Sequence, residues 1–199
     1  PVTKVADIPA ITSLARKAGA LAVMDNTFAG LHQHGEYDID VFDHSLTKYA
    51  SGEGDVLGGA VIGHGEMIRS LRTDFGALGG TLDPHAAYLI LRGLRTYFVR
   101  YKAQSASAQR IAEVLAAHPA VARVHYPGLP SHPQHALARA QMKDFGAIVS
   151  FDLERGPEAS RRFADALQLF AVTASLGSTE SLVVTAQMMG GRDLTADQQ

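Results

Sequence analysis

Apolar positions along this chain follow two rhythms, and the switches between them predict its elements. Ile8, Ile11, Leu14, Ala15 and Ala18 recur at helical spacing behind Asp7, with Gly19 just past them. That pattern predicts a helix capped by Asp7, buried along this stripe and stopped at the glycine. Residues 21–24 form a continuous apolar run ending at Asp25, suited to a strand buried on both faces as in a parallel sheet. A second apolar run starts at Val41 and gives out at Lys48, and 56–62 reads as another strand among Gly58, Gly59 and Gly63. Asp83-Pro84 offers an N-cap followed by proline at the first helical position. Helical periodicity then continues toward His118-Pro119, with an interruption expected near Gly93 or around Ser105, and a helix of that length could bridge two domains. Shorter units follow: strand 121–125, helix 133–143, strand 147–153, helix 157–169 and a strand near Val172. The alternation predicts an α/β chain in two parts, 1–105 and 106–199, with no low-complexity linker or internal repeat to sharpen the division.

Composition narrows the class without naming a function. The 199 residues are 46% hydrophobic with a formal net charge of −2, enough for one or two domains with a real core. No basic excess points to nucleic acid. The absence of cysteine excludes disulfides, thiolate metal sites and cysteine nucleophiles. No apolar run approaches the roughly 20 residues of a membrane helix, and the first residues do not form a signal sequence. The expected setting is the cytoplasm, with no membrane partner.

Candidate chemistry gathers where the first two strands run out. Asp25 ends one apolar run and Lys48 ends the next, and ligands of open α/β sheets lie beyond such strand ends. Ser45 and Thr47 precede the lysine, and the Gly-rich stretch from Ser51 to Gly59 follows it. Hydroxyls, free backbone amides and glycine turns are what a phosphate needs. An amine for a Schiff base, an acid for a ring nitrogen and donors for a phosphate form the set that pyridoxal phosphate requires. Taken singly, each residue has an ordinary reading: an aspartate at a strand end caps a turn, and a lysine after a strand is solvated. Their conjunction carries the inference.

The surrounding words resemble a known family. Asp25-Asn-Thr-Phe-Ala29, then Asp40, then His44-Ser45-Leu-Thr47-Lys48-Tyr49, then the stretch from Gly52 to Ala60, is similar to the signature of the Cys/Met-metabolism enzymes. These are fold-type I pyridoxal-phosphate-dependent transferases, aspartate-aminotransferase-like, and include cystathionine β- and γ-lyases, cystathionine γ-synthase and methionine γ-lyase. The likeness runs on through Leu91-Arg-Gly-Leu-Arg95-Thr96, Tyr126-Pro-Gly-Leu129, Phe145 to Phe151 and Ser175 to Leu182. It implies that Lys48 is the Schiff-base lysine, that Asp25 pairs with the pyridinium nitrogen, and that Ser45 and Thr47 contact the phosphate. It also implies a place for Ser175 near the substrate carboxylate. Thr27 is either beside the ring or a β-branched packing residue. The resemblance further implies a partial large domain followed by a partial C-terminal α/β domain. A small amino-acid substrate and a homo-oligomer, a dimer of dimers in the full-length parent, complete what it implies.

Departures from the family pattern are specific. Its members are longer, and Pro1-Val-Thr-Lys-Val5 resembles the tail of an Asn-Pro-Thr segment from mid-domain. The expected ring-stacking aromatic, Gly-rich phosphate loop and neighbour-subunit Tyr/Arg pair have no counterpart here. The carboxylate-binding arginine falls past Gln199 by the resemblance, and Arg192 comes too early to replace it. Glu53 stands where many members have histidine, and Gln187-Met-Met-Gly-Gly replaces His-Pro-Ala-Ser.

Two function classes follow. One is a lyase or transferase of sulfur amino acids or activated homoserine esters, acting by β/γ-elimination or γ-replacement. The other is a catalytically incomplete piece that binds the cofactor weakly or serves subunit association. Other clusters read as ordinary. His32/His34 and His132/His135 lack the acidic or cysteine partners of a metal site and are expected to be solvated loop residues. His44, inside the lysine motif, takes a structural position by the resemblance. Arg92, Arg95 and Arg100 are expected to form surface salt bridges. Met188-Met189 is packing material or an edge.

Overall fold

The first helix is built as its sequence signals require. In the computed structural model, which describes residues 3–32, 34 and 36–189, α1 spans Ile8–Lys17, Asp7 accepts a hydrogen bond from the Ala10 amide at 3.0 Å, and Gly19 follows at φ 65°. Its buried face is not the apolar stripe. Ile8 and Thr12 face inward while Leu14 is 66% exposed, because α1 is held by polar contacts to the second half of the chain. Gln141 Oε1 accepts from the Ile8 amide, and its Nε2 donates to the Ala6 carbonyl. Arg16 adds a fork onto Asp38 and a bond to Asp40, whose carboxylate also accepts from the Ala22 amide and so ties α1 to the start of the sheet.

Strand β1 (Val23–Asp25) runs parallel to β2 (Val41–Ser45), and β3 (Gly59–Gly63) returns antiparallel on the other side of β2. Burial on both faces, expected for the first strand, is not observed. Val23 is 63% exposed, since among the described residues β1 has a neighbour on one side only and nothing covers the face that carries Leu21 and Val23. β2 is the central strand, and Val41, Phe42 and His44 are buried.

After β2 the chain makes one wide helical turn, Leu46–Ala50, broken at Lys48 (φ −90°, ψ −123°). Helix α2 (Gly65–Leu78) buries no residue and escaped the sequence pattern for that reason; its one clear signal is Gly79, left-handed at φ 76°. Helix α3 (Pro84–Leu94), capped by Asp83, and helix α4 (Tyr97–Ala116) divide close to Gly93, while α4 continues unbroken through Ser105. Tyr97 and Tyr101 stack, and Tyr101 meets Tyr49 edge-on, joining α4 to the residue after Lys48.

The second half is an α/β layer against α4. Antiparallel β4 (Val121–His125) and β5 (Ser150–Leu153) pack with Ala108, Ala112, Tyr126 and Leu129. Helices α5 (His135–Gln141) and α6 (Gly156–Ala166) are shorter than their apolar patterns suggested. For α5 the cause is a run of tight turns from Tyr126 to His135, whose amides bond three residues back. A two-residue parallel pair, β6 (Ala171–Val172) and β7 (Leu182–Val183), brackets the segment that reaches Lys48. β7 is too short to leave a pattern. Arg192, Gly190 and Gly191 lie outside the described residues, as do Pro1 and Val2.

Two helical glycines give opposite expectations. A Cβ on Gly93 would run into the Ser51 carbonyl and lie 2.6 Å from that of Ala50, whereas one on Gly76 would meet nothing within 4 Å. Gly93→Ala is expected to cost about 1–3 kcal/mol, and Gly76→Ala to add about 0.5–1 kcal/mol through helix propensity. Urea unfolding of both variants checks the pair.

Candidate active site

Strand register places the acid and the lysine motif at one sheet edge. Asp25, the last residue of β1, pairs with Asp43, and β2 ends two residues further on at Ser45. Asp25 Oδ1 accepts from the Thr27 amide at 2.9 Å, closing the turn after β1. Thr27, 7% exposed, then accepts from the Ser45 amide on its own Oγ1 at 2.8 Å. A relay of two hydrogen bonds therefore joins Asp25 to the end of β2. Asn26 beside them is buried, its Nδ2 bonded to the carbonyls of Gly30 and His32, with Oδ1 unpartnered among the described residues.

The lysine turn is pinned from three sides. Thr47 Oγ1 accepts from the Gly58 amide at 3.0 Å, and the amides of Leu46 and Thr47 both donate to the Gly58 carbonyl. Lys48, half-buried, donates from Nζ to Ser175 Oγ at 3.3 Å across 127 residues of sequence. Gly177, left-handed at φ 80°, lies so close that a Cβ would sit 2.6 Å from the Tyr49 nitrogen. The Thr179 amide donates to the Gly52 carbonyl at 2.9 Å, its hydroxyl reaches Glu53, and Gln104 Nε2 holds the Ser178 carbonyl at 2.8 Å. The segment from Ser175 to Thr179 is laced onto the lysine turn along its length.

Lys48 and Ser175 are thus in contact, and Asp25, Thr27 and Ser45 are linked in series. Thr47 turns its hydroxyl into the sheet rather than outward. Among the described residues Lys48 forms no ion pair, and Asp25 Oδ2 and Ser45 Oγ have no hydrogen-bond partner. An uncommitted amine, a carboxylate oxygen and a hydroxyl fit the aldehyde, ring nitrogen and phosphate of pyridoxal phosphate in kind. A cavity of about 220 Å³ opens beside Asp25, lined by Met24, Asn26, Phe28, Phe145 and the segment around Lys4, but it does not reach Lys48. The strand-end cluster, which holds the amine, is the better site.

The loop histidines His32, His34, His132 and His135 are held by neighbours rather than freely solvated. His44 is 4% exposed and its Nε2 lies 2.6 Å from His34 Nε2, a distance that makes one ring the donor and the other the acceptor. Burial draws the pKa of both below the usual value, and does the same to His32, which is wedged among Tyr97, Phe98 and Tyr101. His132 is 6% exposed, and His135 donates from Nδ1 to the Pro127 carbonyl. Among the arginines, Arg92 meets Asp55 at 3.3 Å on the surface as expected, but Arg100 turns inward to backbone carbonyls. Arg100, Gln104 and Gly177 had no local signal as site residues, because each acts on backbone atoms distant in sequence.

Comparison with known proteins places the chain. The family model for Cys/Met metabolism PLP-dependent enzymes matches residues 1–199, and the chain belongs to that family. It is 40% identical over 200 residues to the chloroplastic cystathionine gamma-synthase 1 of Arabidopsis thaliana, covering 100% of this chain and 36% of that one. It is 43% identical over 186 residues to L-methionine gamma-lyase of Pseudomonas putida, covering 92% of this chain and 47% of the relative. The solved structure of cystathionine gamma synthase from Xanthomonas oryzae pv. oryzae in complex with cystathionine superimposes with a TM-score of 0.93 at 41% identity, over 100% of this chain and 52% of that one. The fold is fold-type I, and the chain spans between a third and half the length of these curated relatives.

Two expectations follow from the geometry. Thr27→Val strands the Ser45 amide, and we expect a loss of about 1–3 kcal/mol in urea unfolding. His32, His34 and His44 all titrate below 6.5 in the folded chain. The unfolded chain therefore takes up protons first as pH falls, so stability is fully present above about pH 6.5 and declines below it toward the folded-state values. Urea midpoints across that range should show the decline, and the double variant His34→Gln/His44→Gln should flatten it. An unchanged slope would clear the pair of responsibility.

Proposed function

We propose that the protein carrying this chain is a pyridoxal-phosphate enzyme of sulfur amino-acid metabolism, catalysing β/γ-elimination or γ-replacement, with Lys48 as its reactive amine. One observation carries this reading: Lys48 Nζ and Ser175 Oγ, 127 residues apart in sequence, meet at 3.3 Å. The names of the relatives support the substrate class, sulfur amino acids or homoserine esters, since they include cystathionine gamma-synthase, L-methionine gamma-lyase and O-succinylhomoserine sulfhydrylase.

Within that reading, Lys48 Nζ is the group that would carry the cofactor, Asp25 would face its ring nitrogen and Ser45 its phosphate, while Thr47, its hydroxyl taken up by Gly58, holds the turn. When bound, pyridoxal phosphate supplies an electron sink for a carbanion at the substrate Cα. Lys48 moves the Cα proton as base and acid, and γ-chemistry requires a second proton removal at Cβ. Asp25 holds a negative charge where the ring nitrogen needs its proton kept. Ser175 orients the lysine amine and lies on the side from which a substrate carboxylate approaches. Thr27 fixes Ser45 through its amide, a positioning role.

The same reading takes 1–105 as part of the large domain and 106–199 as part of the C-terminal domain. Here α4 runs continuously across the division. It also takes the complete protein as a cytoplasmic homo-oligomer, a dimer of dimers. The family resemblance supports that assembly, and so do exposed apolar side chains such as Leu57 (80%) and Val99 (76%). Among the described residues no helix is long and apolar enough to cross a membrane. The same exposed side chains suit equally the second reading, a subunit-association module without turnover.

Reconstitution of the complete protein with pyridoxal phosphate, followed by borohydride reduction and peptide mapping, separates the readings. The label is expected on Lys48 and absent in Lys48→Ala; label elsewhere, or none, defeats the enzyme reading. Asp25→Asn should keep some cofactor and lose about 10²-fold or more in keto-acid release from sulfur amino acids.

A further inference from the structure

The lysine turn ends with carbonyl groups that its own backbone cannot satisfy. A single helical turn leaves its last C=O groups without intrahelical donors. The amides of Ser51 and Gly52 go back to Leu46 and Lys48, which leaves the carbonyls of Tyr49 and Ala50 to find partners elsewhere. Gly93, near the end of α3, presents its carbonyl to the same space.

One side chain answers all three. Arg100, from the first turn of α4, donates Nη1 to Tyr49 O at 2.9 Å, Nη2 to Gly93 O at 2.8 Å and to Ala50 O at 3.3 Å, and Nε to Thr96 Oγ1 at 3.0 Å. Gly52 and Gly93 leave the room it needs, since a Cβ on Gly52 would strike the guanidinium and one on Gly93 would strike the turn itself. A planar fork of five donors can gather acceptors from two elements at once, whereas an ammonium cannot reproduce the spread.

We propose that Arg100 is a positioning residue for Lys48: by holding the carbonyl of the next residue against α3 and α4, it sets the direction from which the amine leaves the turn. This inference deepens the proposed function and rests on Lys48 being the reactive amine. Misplacement of a reacting group by about 1 Å costs on the order of 10²-fold in rate, so a fixed turn matters more for Lys48 chemistry than for fold stability.

The test uses the complete protein and Arg100→Lys, which keeps the charge and most of the bulk, with Arg92→Lys as a surface control. Two readouts are taken: the rate at which borohydride-trappable cofactor appears on Lys48, and the pH profile of Lys48 labelling by an amine-reactive probe without cofactor. Arg100→Lys is expected to slow attachment about tenfold and to shift the labelling profile, with Arg92→Lys matching the parent. Where Arg100→Lys fails to fold, Thr96→Val, which removes the acceptor of Nε, should move both readouts in the same direction by less. If either variant is less stable yet attaches cofactor and labels like the parent, Arg100 is structural only and the proposal is overturned. If the parent itself carries no cofactor on Lys48, the proposed function falls, and the labelling profiles alone decide on Arg100.

Discussion

Backbone groups around Lys48 cannot satisfy one another, and much of the surrounding architecture is the set of partners they recruit. A strand that ends in one broken helical turn exposes amides on one side and carbonyls on the other, and leaving them dry and unpaired is costly. Gly58 takes the amides, Thr47 and Ser51 give up their hydroxyls, and Arg100 collects the carbonyls. The amine at the centre is the one strongly polar group there that the turn does not consume.

The aromatic layer beneath keeps its hydroxyls protonated on the alkaline side. Burial raises the hydroxyls of Tyr49 and Tyr126 to about 12, and that of Tyr101 further still. All three therefore remain neutral at ordinary pH. Tyr126 donates to the Gly146 carbonyl at 2.9 Å and Tyr49 accepts from the Ala147 amide, so adjacent residues of the strand-approach segment are fixed from two directions. Acid acts elsewhere, on the His34–His44 pair on the opposite side of β2 from Ser45.

Much of this was legible in the residues, and the failures have physical causes. Caps were readable because Asp7 and Asp83 bond to amides within three residues of themselves. The strand end at Asp25 was readable because an apolar run stops there, whereas β2 ends at Ser45 and Lys48 falls in the helical turn that follows, since an apolar run does not show where strand gives way to turn. Solvent exposure of Leu14 and Val23 was not, since an apolar stripe specifies that it wants cover and not whether this chain supplies it. Arg100 looked like a surface cation because spacing along a helix says nothing about carbonyls 50 residues away. His34 was taken for a solvated loop residue for the same reason: its partner His44, which does hold the structural position expected of it, lies ten residues on.

Gly177 carries a consequence for how such a molecule comes into being. Its contact with Tyr49 closes a chain loop well over half the length of this sequence, so local structure around the lysine exists before its lid does. Synthesis runs from the amino end and contacts of high sequence separation form late. A newly made copy therefore passes through an interval in which the lysine turn is assembled while the segment that later packs over it is still free.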